Sequence, residues 1–164
     1  MTGSALQVRR CGAGDAMALR ALRLESLLDS PQAYGSTYGE CLEWTSRRWR
    51  QVAREWNYFL AERAVRGVGI ASGGPNDRYP GTRWLYGMYV TPKERGTGVA
   101  EVLVDAVQEW ARQQGSTSLY LHVAAPMQRA RAFYEREGFR ATGDVVAMER
   151  DPSILLTTMV KSLA

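Results

Sequence analysis

The stretch TPKERGTGVA, residues 91–100, decides the fold assignment, because it joins a strongly apolar segment to an amphipathic one. The segment RWLYGMYV at 83–90 predicts a buried strand. Residues 100–114 predict a helix with one apolar stripe, formed by Leu103, Val104, Val107, Trp110 and Ala111. Gly96 and Gly98 therefore lie where a strand leads into a helix N-terminus, a position at which free backbone amides and the helix dipole favour anions.

Glycine at positions 96 and 98 allows the backbone to approach a pyrophosphate closely, since a Cβ would block that approach. Arg95 adds a cation beside them. The stretch is not a Walker loop, because it lacks Gly-Lys-Ser/Thr, and it also lacks the third glycine of the usual dinucleotide fingerprint. Taken alone, the glycine pair is better explained by a tight turn that binds nothing.

The remaining pattern predicts alternating helices and strands. Residues 16–28 predict a helix capped by Asp15, with Met17, Ala21, Leu24 and Leu28 at helical spacing. The other predicted elements are a loop at 32–39, an amphipathic segment at 40–56, a strand at 58–64, a second strand ending at 71 after a turn closed by Gly67, a surface loop at 73–80, a strand at 118–123, a helix at 128–136, and strands at 139–148 and 154–160. The order β–α–α–β–β–β–α–β–α–β–β shows no repeat and no long linker, which predicts one α/β domain over residues 1–164.

Composition places the chain among ordinary globular proteins: 45% of its 164 residues are hydrophobic and 23% are charged. No apolar run approaches the roughly 20 residues that cross a bilayer, and the first residues do not match a signal peptide. We therefore expect a cytoplasmic protein without a membrane partner. Cys11, Cys41 and His122 are too few and too scattered for a zinc site, so no metal is expected.

The positive charges are mostly arginine, since Lys93 and Lys161 are the only lysines among 21 basic residues. Arginine binds phosphate oxygens bidentately, although a coding bias explains the excess equally well. The arginines are spread along the chain, without the dense basic stripe and interleaved aromatics of a nucleic-acid binder. We therefore expect no nucleic-acid partner.

Two separated motifs give the chain a family resemblance. The spacing Arg95-x-x-Gly98-x-Ala100 after an apolar strand resembles the acyl-coenzyme A loop of the GNAT superfamily of N-acetyltransferases. Residues 130–139, ARAFYEREGF, resemble the A-x-x-F-Y-x-x-x-G-F segment of the same superfamily. Residues 24–37 resemble its acceptor-site helix and loop, and residues 151–159 its final strands, so the resemblance covers almost the whole chain.

The resemblance implies an α/β (α+β) fold with a mixed, mostly antiparallel sheet of about seven strands flanked by about four helices. The sheet is expected to be splayed in the middle to hold the cofactor, with acetyl-CoA as cosubstrate. Main-chain groups of Met88, Tyr89 and Val90 are implied to hold the pantetheine arm. The main-chain amides implied to hold the pyrophosphate are those of Arg95, Gly96, Thr97, Gly98, Val99 and Ala100.

The resemblance also implies catalytic roles. The amide near Met88 stabilises the tetrahedral oxyanion, and Tyr134 contacts the cofactor and protonates the departing thiolate. The strand before the glycines carries no carboxylate, so the base that deprotonates the amine stays open among Glu62, Glu40, Glu43, His122 and a water relay, with the relay preferred. Met127 occupies the position of a family asparagine that helps to hold the cofactor arm.

The implied function is acetyl transfer to a primary amine of a small molecule by direct attack in a ternary complex. A protein N-terminal or lysine acetyltransferase and a non-catalytic coenzyme A-binding module are the alternatives. The sequence does not identify the amine, although aromatic side chains suit one through cation–π attraction. The aromatic residues considered for the acceptor pocket are Tyr34, Tyr38, Trp44, Trp49 and Trp84. Family members are often homodimers, but no feature of this sequence defines an interface.

Overall fold

The computed structural model describes residues 4–164 and contains one mixed sheet. Its seven strands are β1 (Leu6–Arg10), β2 (Tyr58–Arg63), β3 (Arg66–Gly74), β4 (Trp84–Val90), β5 (Ser118–Ala124), β6 (Arg140–Ala147) and β7 (Leu155–Ser162). The spatial order is β1-β2-β3-β4-β5-β7-β6, and every neighbouring pair is antiparallel except β4 and β5. This confirms the predicted mixed, mostly antiparallel sheet.

The helices are α1 (Ala16–Asp29), α2 (Tyr38–Leu42), α3 (Ser46–Glu55), α4 (Val99–Gln113) and α5 (Gln128–Arg136). The described chain thus has one helix more than the expected four or so, because the amphipathic segment at 40–56 is divided. The Thr45 hydroxyl accepts a hydrogen bond from the Arg48 amide at 3.1 Å and begins α3 as its N-cap. A capping residue inside an amphipathic stretch starts a new helix there.

Helices pack on both faces of the sheet. On one face the predicted stripe of α4 is buried, with Leu103, Val104 and Val107 fully enclosed. On the other face α1 and α3 pack together, but α1 does not bury the stripe that spacing suggested. Met17 and Leu28 are 85% and 64% exposed, whereas the buried row of α1 consists of Ala16, Leu19, Leu22, Leu24, Ser26 and Leu27. The row with more leucines faces the core because it buries more apolar area.

The β2–β3 hairpin turns through Ala64 and Val65, which adopt φ angles of 48° and 59°. The expectation that Gly67 closes this turn is therefore wrong. Gly67 belongs to β3, where a Cβ would lie only 3.1 Å from Leu22 Cδ1. Glycine there allows Leu22 of α1 to pack closely on the strand, and it does not form the turn.

The sheet opens between β4 and β5. These parallel strands share one register pair, Trp84 with Tyr120, and the Tyr120 amide donates to the Arg83 carbonyl at 3.0 Å. Beyond this point the strands diverge, which confirms the predicted splay in the middle of the sheet. No helix within residues 4–164 has both the length and the apolar character needed to span a bilayer.

Candidate active site

A cavity of about 800 Å³, the central cavity, occupies the opening between β4 and β5. Strand β4 contributes Tyr86, Gly87 and Met88 to its lining, and β5 contributes His122. Helix α5 contributes Tyr134 from the resemblance motif. The loop between α1 and α2 (residues 30–37) and the loop between β6 and β7 (residues 148–154) also supply lining residues. Two residues that the resemblance placed in catalysis, Met88 and Tyr134, thus reach one space.

A bulge in β4 forms one side of the central cavity. Tyr89 pairs with Ile70 and Tyr86 pairs with Ser72, so β4 has one residue more than β3 across this interval. Gly87 takes a φ of 58°, and a Cβ there would lie 3.1 Å from the Tyr58 hydroxyl. The bulge therefore requires glycine and takes the adjoining Met88 peptide out of the regular ladder.

The other predicted cofactor contacts on β4 are main-chain groups. The carbonyl of Val90 accepts a hydrogen bond from Arg95 Nε at 3.1 Å, and the carbonyl of Met88 accepts one from the Tyr34 hydroxyl at 2.7 Å. Each oxygen keeps a second lone pair. The side chain of Tyr89 points away to α1, where its hydroxyl donates to Glu25 at 3.0 Å.

Tyr134 lies on α5 between Phe133 and Phe139, at ring centroid distances of 5.3 and 5.7 Å. Its side chain is 6% exposed, and its hydroxyl makes no hydrogen bond to any residue in the range 4–164. Burial raises the pKa of Tyr134 well above the usual value of a phenol. The hydroxyl is therefore protonated at neutral pH and available as a proton donor.

The loop before α4 has the geometry of an anion site. Gly96 and Gly98 have φ angles of 76° and 96°, and a Cβ at either position would meet open space. The Val102 amide donates to the Gly98 carbonyl at 3.3 Å, so the amides of residues 99–101 precede the first helical hydrogen bond of α4. These amides, at the positive end of the helix dipole, suit a phosphate.

Internal contacts hold this loop in place. Arg95 pairs with Asp29 at 2.7 Å, and this pairing holds the pKa of Asp29 below its usual range. The Thr97 hydroxyl donates to the Glu94 carbonyl at 2.7 Å. The predicted cation beside the glycines is thus present, but its charge is shared with α1, which leaves the main-chain amides as the principal anion donors. None of residues 91–100 lines the central cavity.

Of the side chains considered as the base, three carboxylates lie elsewhere. Glu62 pairs with Arg9 of β1 at 3.0 Å, and Glu40 accepts from the Thr37 amide at 2.8 Å as part of a capping box. Glu43 is exposed at the end of α2. The carboxylates that do line the cavity, Glu55 and Glu149, carry no signal in the sequence that distinguishes them from other surface glutamates.

His122 is the one side chain from that set that lines the central cavity. Its ring meets the Trp84 ring edge-on at a centroid distance of 4.6 Å. Its Nε2 atom is buried and has no hydrogen-bond partner within residues 4–164. Burial lowers the pKa of His122, and Arg78 lowers it further while Asp144 opposes the shift. A neutral imidazole in this place can accept a proton.

The aromatic expectations are met only in part. Tyr34 lines the central cavity, but Trp49 and Trp84 are buried in the core, and neither Tyr38 nor Trp44 reaches the cavity. The aromatic lining that the sequence did not single out consists of Trp56, Tyr58, Tyr86 and Phe133. Met127 also lines the cavity, at the N-cap of α5, where it forms no side-chain cap.

The α1–α2 loop is tied to the β6–β7 loop by Arg150. The guanidinium of Arg150 donates to the Tyr34 carbonyl at 2.9 Å and also to the Pro31 carbonyl. Cys11 and Cys41 are buried and unbridged. Within the described part of the chain, no three or more His, Cys, Asp or Glu side chains are grouped as metal ligands.

The fold, with its splayed sheet, bulged β4 and glycine-led start of α4, is that of solved acetyltransferase structures. An acetyltransferase of the GNAT family from Streptococcus pneumoniae superposes with a TM-score of 0.76 at 20% identity, covering 98% of this chain and 100% of that one. The structure of yncA from Salmonella typhimurium, with its cofactor acetyl-CoA, gives a TM-score of 0.74 at 19% identity over 98% of this chain and 95% of its own.

The chain belongs to the acetyltransferase (GNAT) family, whose model matches residues 19–139. Among curated relatives, rat N-acetyltransferase 8F1 is 33% identical over 90 residues, which is 53% of this chain and 41% of that protein. Rat N-acetyltransferase 8 is 32% identical over the same length, 53% of this chain and 40% of its own. The matched part of the chain thus spans about two fifths of the curated relatives.

Proposed function

We propose that this protein is an N-acetyltransferase that moves the acetyl group of acetyl-CoA to a primary amine of a small molecule, by direct attack in a ternary complex. The observation that carries the proposal is that the β4 bulge at Met88 and the unpartnered hydroxyl of Tyr134 line the same cavity. When bound, acetyl-CoA supplies an acetyl group activated as a thioester. Family membership and the structure of yncA with its cofactor support this cosubstrate.

The chain offers two sets of groups to hold acetyl-CoA. The amides of residues 96–100 would bind the pyrophosphate, because none of them donates a hydrogen bond within the described chain and no Cβ crowds the two glycines. The amide of Arg95, also expected to contribute, already donates to the Pro92 carbonyl at 3.4 Å. Main-chain groups of Met88, Tyr89 and Val90 would hold the pantetheine arm along the open edge of β4. Tyr134 would contact the cofactor from α5. Held in this way, the cofactor would extend its reactive end into the central cavity.

Three groups of this chain then have distinct tasks. The amide at Met88, taken out of the ladder by the bulge, donates to negative charge that develops on the acyl oxygen. Tyr134 gives its proton to the departing sulfur, and a protonated phenol in a dry site is a suitable donor to a basic thiolate. His122 takes the proton that the amine nitrogen loses, directly or through one water, because its imidazole is neutral.

The size of the cavity supports a small acceptor over a protein side chain. Arg150 joins the β6–β7 loop to the α1–α2 loop, and this tie holds together two loops that border the cavity. A volume of about 800 Å³ also lies in the range of small-molecule sites.

The test is release of coenzyme A thiol with a panel of primary amines, comparing the wild type with Tyr134→Phe. Loss of the general acid should lower kcat by about 10²- to 10⁴-fold. Affinity for coenzyme A in calorimetry should remain, since the ring stays in place. The matched control is Tyr120→Phe, which removes a phenol from β5 outside the cavity and should keep full activity. Equal rates for wild type and Tyr134→Phe, or no release with any amine despite cofactor binding, contradict the proposal.

A further inference from the structure

The guanidinium of Arg23 is a cation without a counterion. Arg23 lies on α1 and lines the central cavity, and its guanidinium stacks over the ring of Tyr34 at 4.7 Å. Its Nη1 is buried, and within residues 4–164 the guanidinium makes no hydrogen bond and no ion pair. Arg23 is half-buried, and burying part of such a charge is costly unless an anion accompanies it. This arrangement therefore indicates that the partner is supplied from outside the chain.

The carboxylates nearest to α1 are already occupied. Glu25 accepts the hydroxyl of Tyr89 at 3.0 Å, and Asp29 pairs with Arg95 at 2.7 Å. On the cavity lining, Glu55 pairs with Arg54 at 2.7 Å, while Glu149 is exposed on the β6–β7 loop. None of these groups forms an ion pair with the guanidinium of Arg23.

The polar groups packed around Arg23 do not neutralise it either. Burial raises the pKa of Tyr34 to about 12, and it also raises the pKa of Tyr58 and of the Cys41 thiol above their usual values. All three are neutral at pH 7. The only other basic group on the cavity lining within the described chain is His122, which is neutral for the reason given above. A single unpaired positive charge suits a monoanion, and a planar guanidinium matches a carboxylate bidentately.

We propose that Arg23 binds a carboxylate of the acceptor, so that the substrate class is amino acids and related small amines that carry a carboxylate. This assignment rests on the proposed function, because it concerns the acceptor of that same site. Tyr34 connects the guanidinium of Arg23 to the bulge in β4. Its ring stacks beneath the guanidinium, and its hydroxyl donates to the Met88 carbonyl at the bulge. One aromatic ring between cation and bulge fits the short distance between the amine and carboxylate of an α-amino acid.

The remaining lining suits an apolar side chain on that acceptor. Trp56, Tyr58, Phe133 and Leu156 all contribute to the same cavity. A carboxylate at Arg23 and an amine at the bulge would leave the third substituent of the α-carbon to contact these residues. The preferred acceptor is therefore an amino acid with an aromatic or branched aliphatic side chain.

Binding measurements test the anion site without turnover. The probes are 3-phenylpropanoate and 4-methylpentanoate, each compared with its neutral primary amide by calorimetry on coenzyme A-loaded protein. We expect each carboxylate to bind wild type about 10- to 100-fold more tightly than its amide, the range for a hydrogen bond to a charged group. Arg23→Gln should lose this difference, and Arg23→Lys should retain part of it. Equal binding of acid and amide, no binding of either acid, or discrimination that persists in Arg23→Gln overturns the inference.

The matched control is Arg20→Gln, which removes the same charge from an exposed position one turn earlier on α1. It should bind the probes as wild type does. If its affinity for the carboxylates falls as much as that of Arg23→Gln, only net charge matters and the inference is overturned. Cooperative thermal unfolding of Arg23→Gln itself, at a melting temperature close to that of wild type, shows that its loss of binding does not come from misfolding.

Kinetics separate this inference from the proposed function. Arg23→Gln should lower kcat/KM for phenylalanine by about 10- to 100-fold and for phenethylamine by less than about threefold. If the wild-type protein acetylates phenethylamine as efficiently as phenylalanine, the proposed function stands and the inference is overturned. If the wild-type protein acetylates none of the amines but binds the carboxylate probes in an Arg23-dependent way, the anion site stands and the proposed function is overturned.

Discussion

The hydroxyl of Tyr34 donates to the main-chain carbonyl of Met88 at 2.7 Å, although the two residues are 54 positions apart in sequence. This hydrogen bond connects the α1–α2 loop to the bulge in β4. The same loop is fixed from its other side by Arg150, which donates to the Tyr34 carbonyl at 2.9 Å. The orientation of the Met88 peptide thus depends on a residue that also lines the acceptor side, so Tyr34 is a positioning residue for the proposed reaction.

Tyr34→Phe keeps the ring beneath Arg23 and removes only this hydrogen bond. We expect kcat to fall about fivefold, because a bond worth roughly 1 kcal/mol no longer orients the bulge. The melting temperature should drop by about 2–4 °C, as a loss of that size gives in a chain of this length. Initial rates and calorimetric unfolding provide the two readouts. Tyr120→Phe, which removes a phenol from β5 outside the cavity, is the control and should retain the wild-type kcat.

His122 should give the activity a dependence on pH. Burial lowers its pKa below the ordinary value of about 6.5. As the proton acceptor it works only when neutral, so kcat at saturating amine should be constant above about pH 7.5, one unit over that ordinary value, and should decrease at lower pH with uptake of one proton. His122→Gln should be slow and should lack this acidic limb. An unchanged limb in the variant would assign the titration to another group.

The same shift predicts a change in stability. Because the folded-state pKa of His122 lies below the unfolded-state pKa, the unfolded chain binds the proton first as the pH falls. The contribution of His122 to the free energy of unfolding is therefore complete above pH 6.5 and is lost as the pH falls towards the folded-state pKa. Urea unfolding at several pH values should show this decrease in wild type and not in His122→Gln. If the free energy of unfolding decreases equally in wild type and in His122→Gln, other groups cause the pH dependence.

The elements that were predicted correctly are those whose own sequence carries a strong periodicity and a clear end signal. The stripe on α4 and the ends of α5 were predicted correctly, because each helix has a strong period and a glycine just after its C-terminus. The turn at Ala64 and Val65 was missed because both residues adopt positive φ angles that usually favour glycine or asparagine. The pattern there pointed to Gly67 instead.

The residues of the candidate site were harder to predict from the sequence than the fold was, because they come together only through tertiary packing. The motif at 130–139 pointed to Tyr134, and the motif at 95–100 pointed to the start of α4. No spacing rule connects Arg23 of α1 with the bulge in β4, since Tyr34 brings them together across the sheet. Glu55 and Glu149 reach the cavity for the same reason, through the positions of α3 and the β6–β7 loop.

Gly73 shows how packing overrides a loop-like composition. The sequence GGPNDRYP at 73–80 reads as a loop, yet Gly73 and Gly74 lie in β3. A Cβ at Gly73 would lie 2.9 Å from Cδ2 of Trp110 and closer still to two further carbons of that ring. Gly73→Ala should therefore destabilise the protein by about 1–3 kcal/mol through overpacking, measured by urea unfolding. Gly74→Ala, whose Cβ would meet Tyr86 at an ordinary 3.5 Å, is the neighbouring control and should cost clearly less. Equal stabilities for the two variants would show that Trp110 moves aside freely.

Gly98→Asp tests the anion site at the start of α4. Gly98 has a φ of 96° and open space around the position of a Cβ, so an aspartate strains the backbone but meets no neighbouring atom, and it carries its charge to the amides of this loop. Repulsion of the cofactor phosphates should abolish binding of coenzyme A, measured by calorimetry.

Gly143→Asp is the matched control, because Gly143 has a φ of 93°, equally open surroundings and a position on β6 away from α4. Both variants bear the same backbone strain and the same added charge, so their difference isolates location. Loss of binding in Gly98→Asp alone assigns the pyrophosphate to this loop, whereas equal affinity in the two variants removes the loop from the cofactor site.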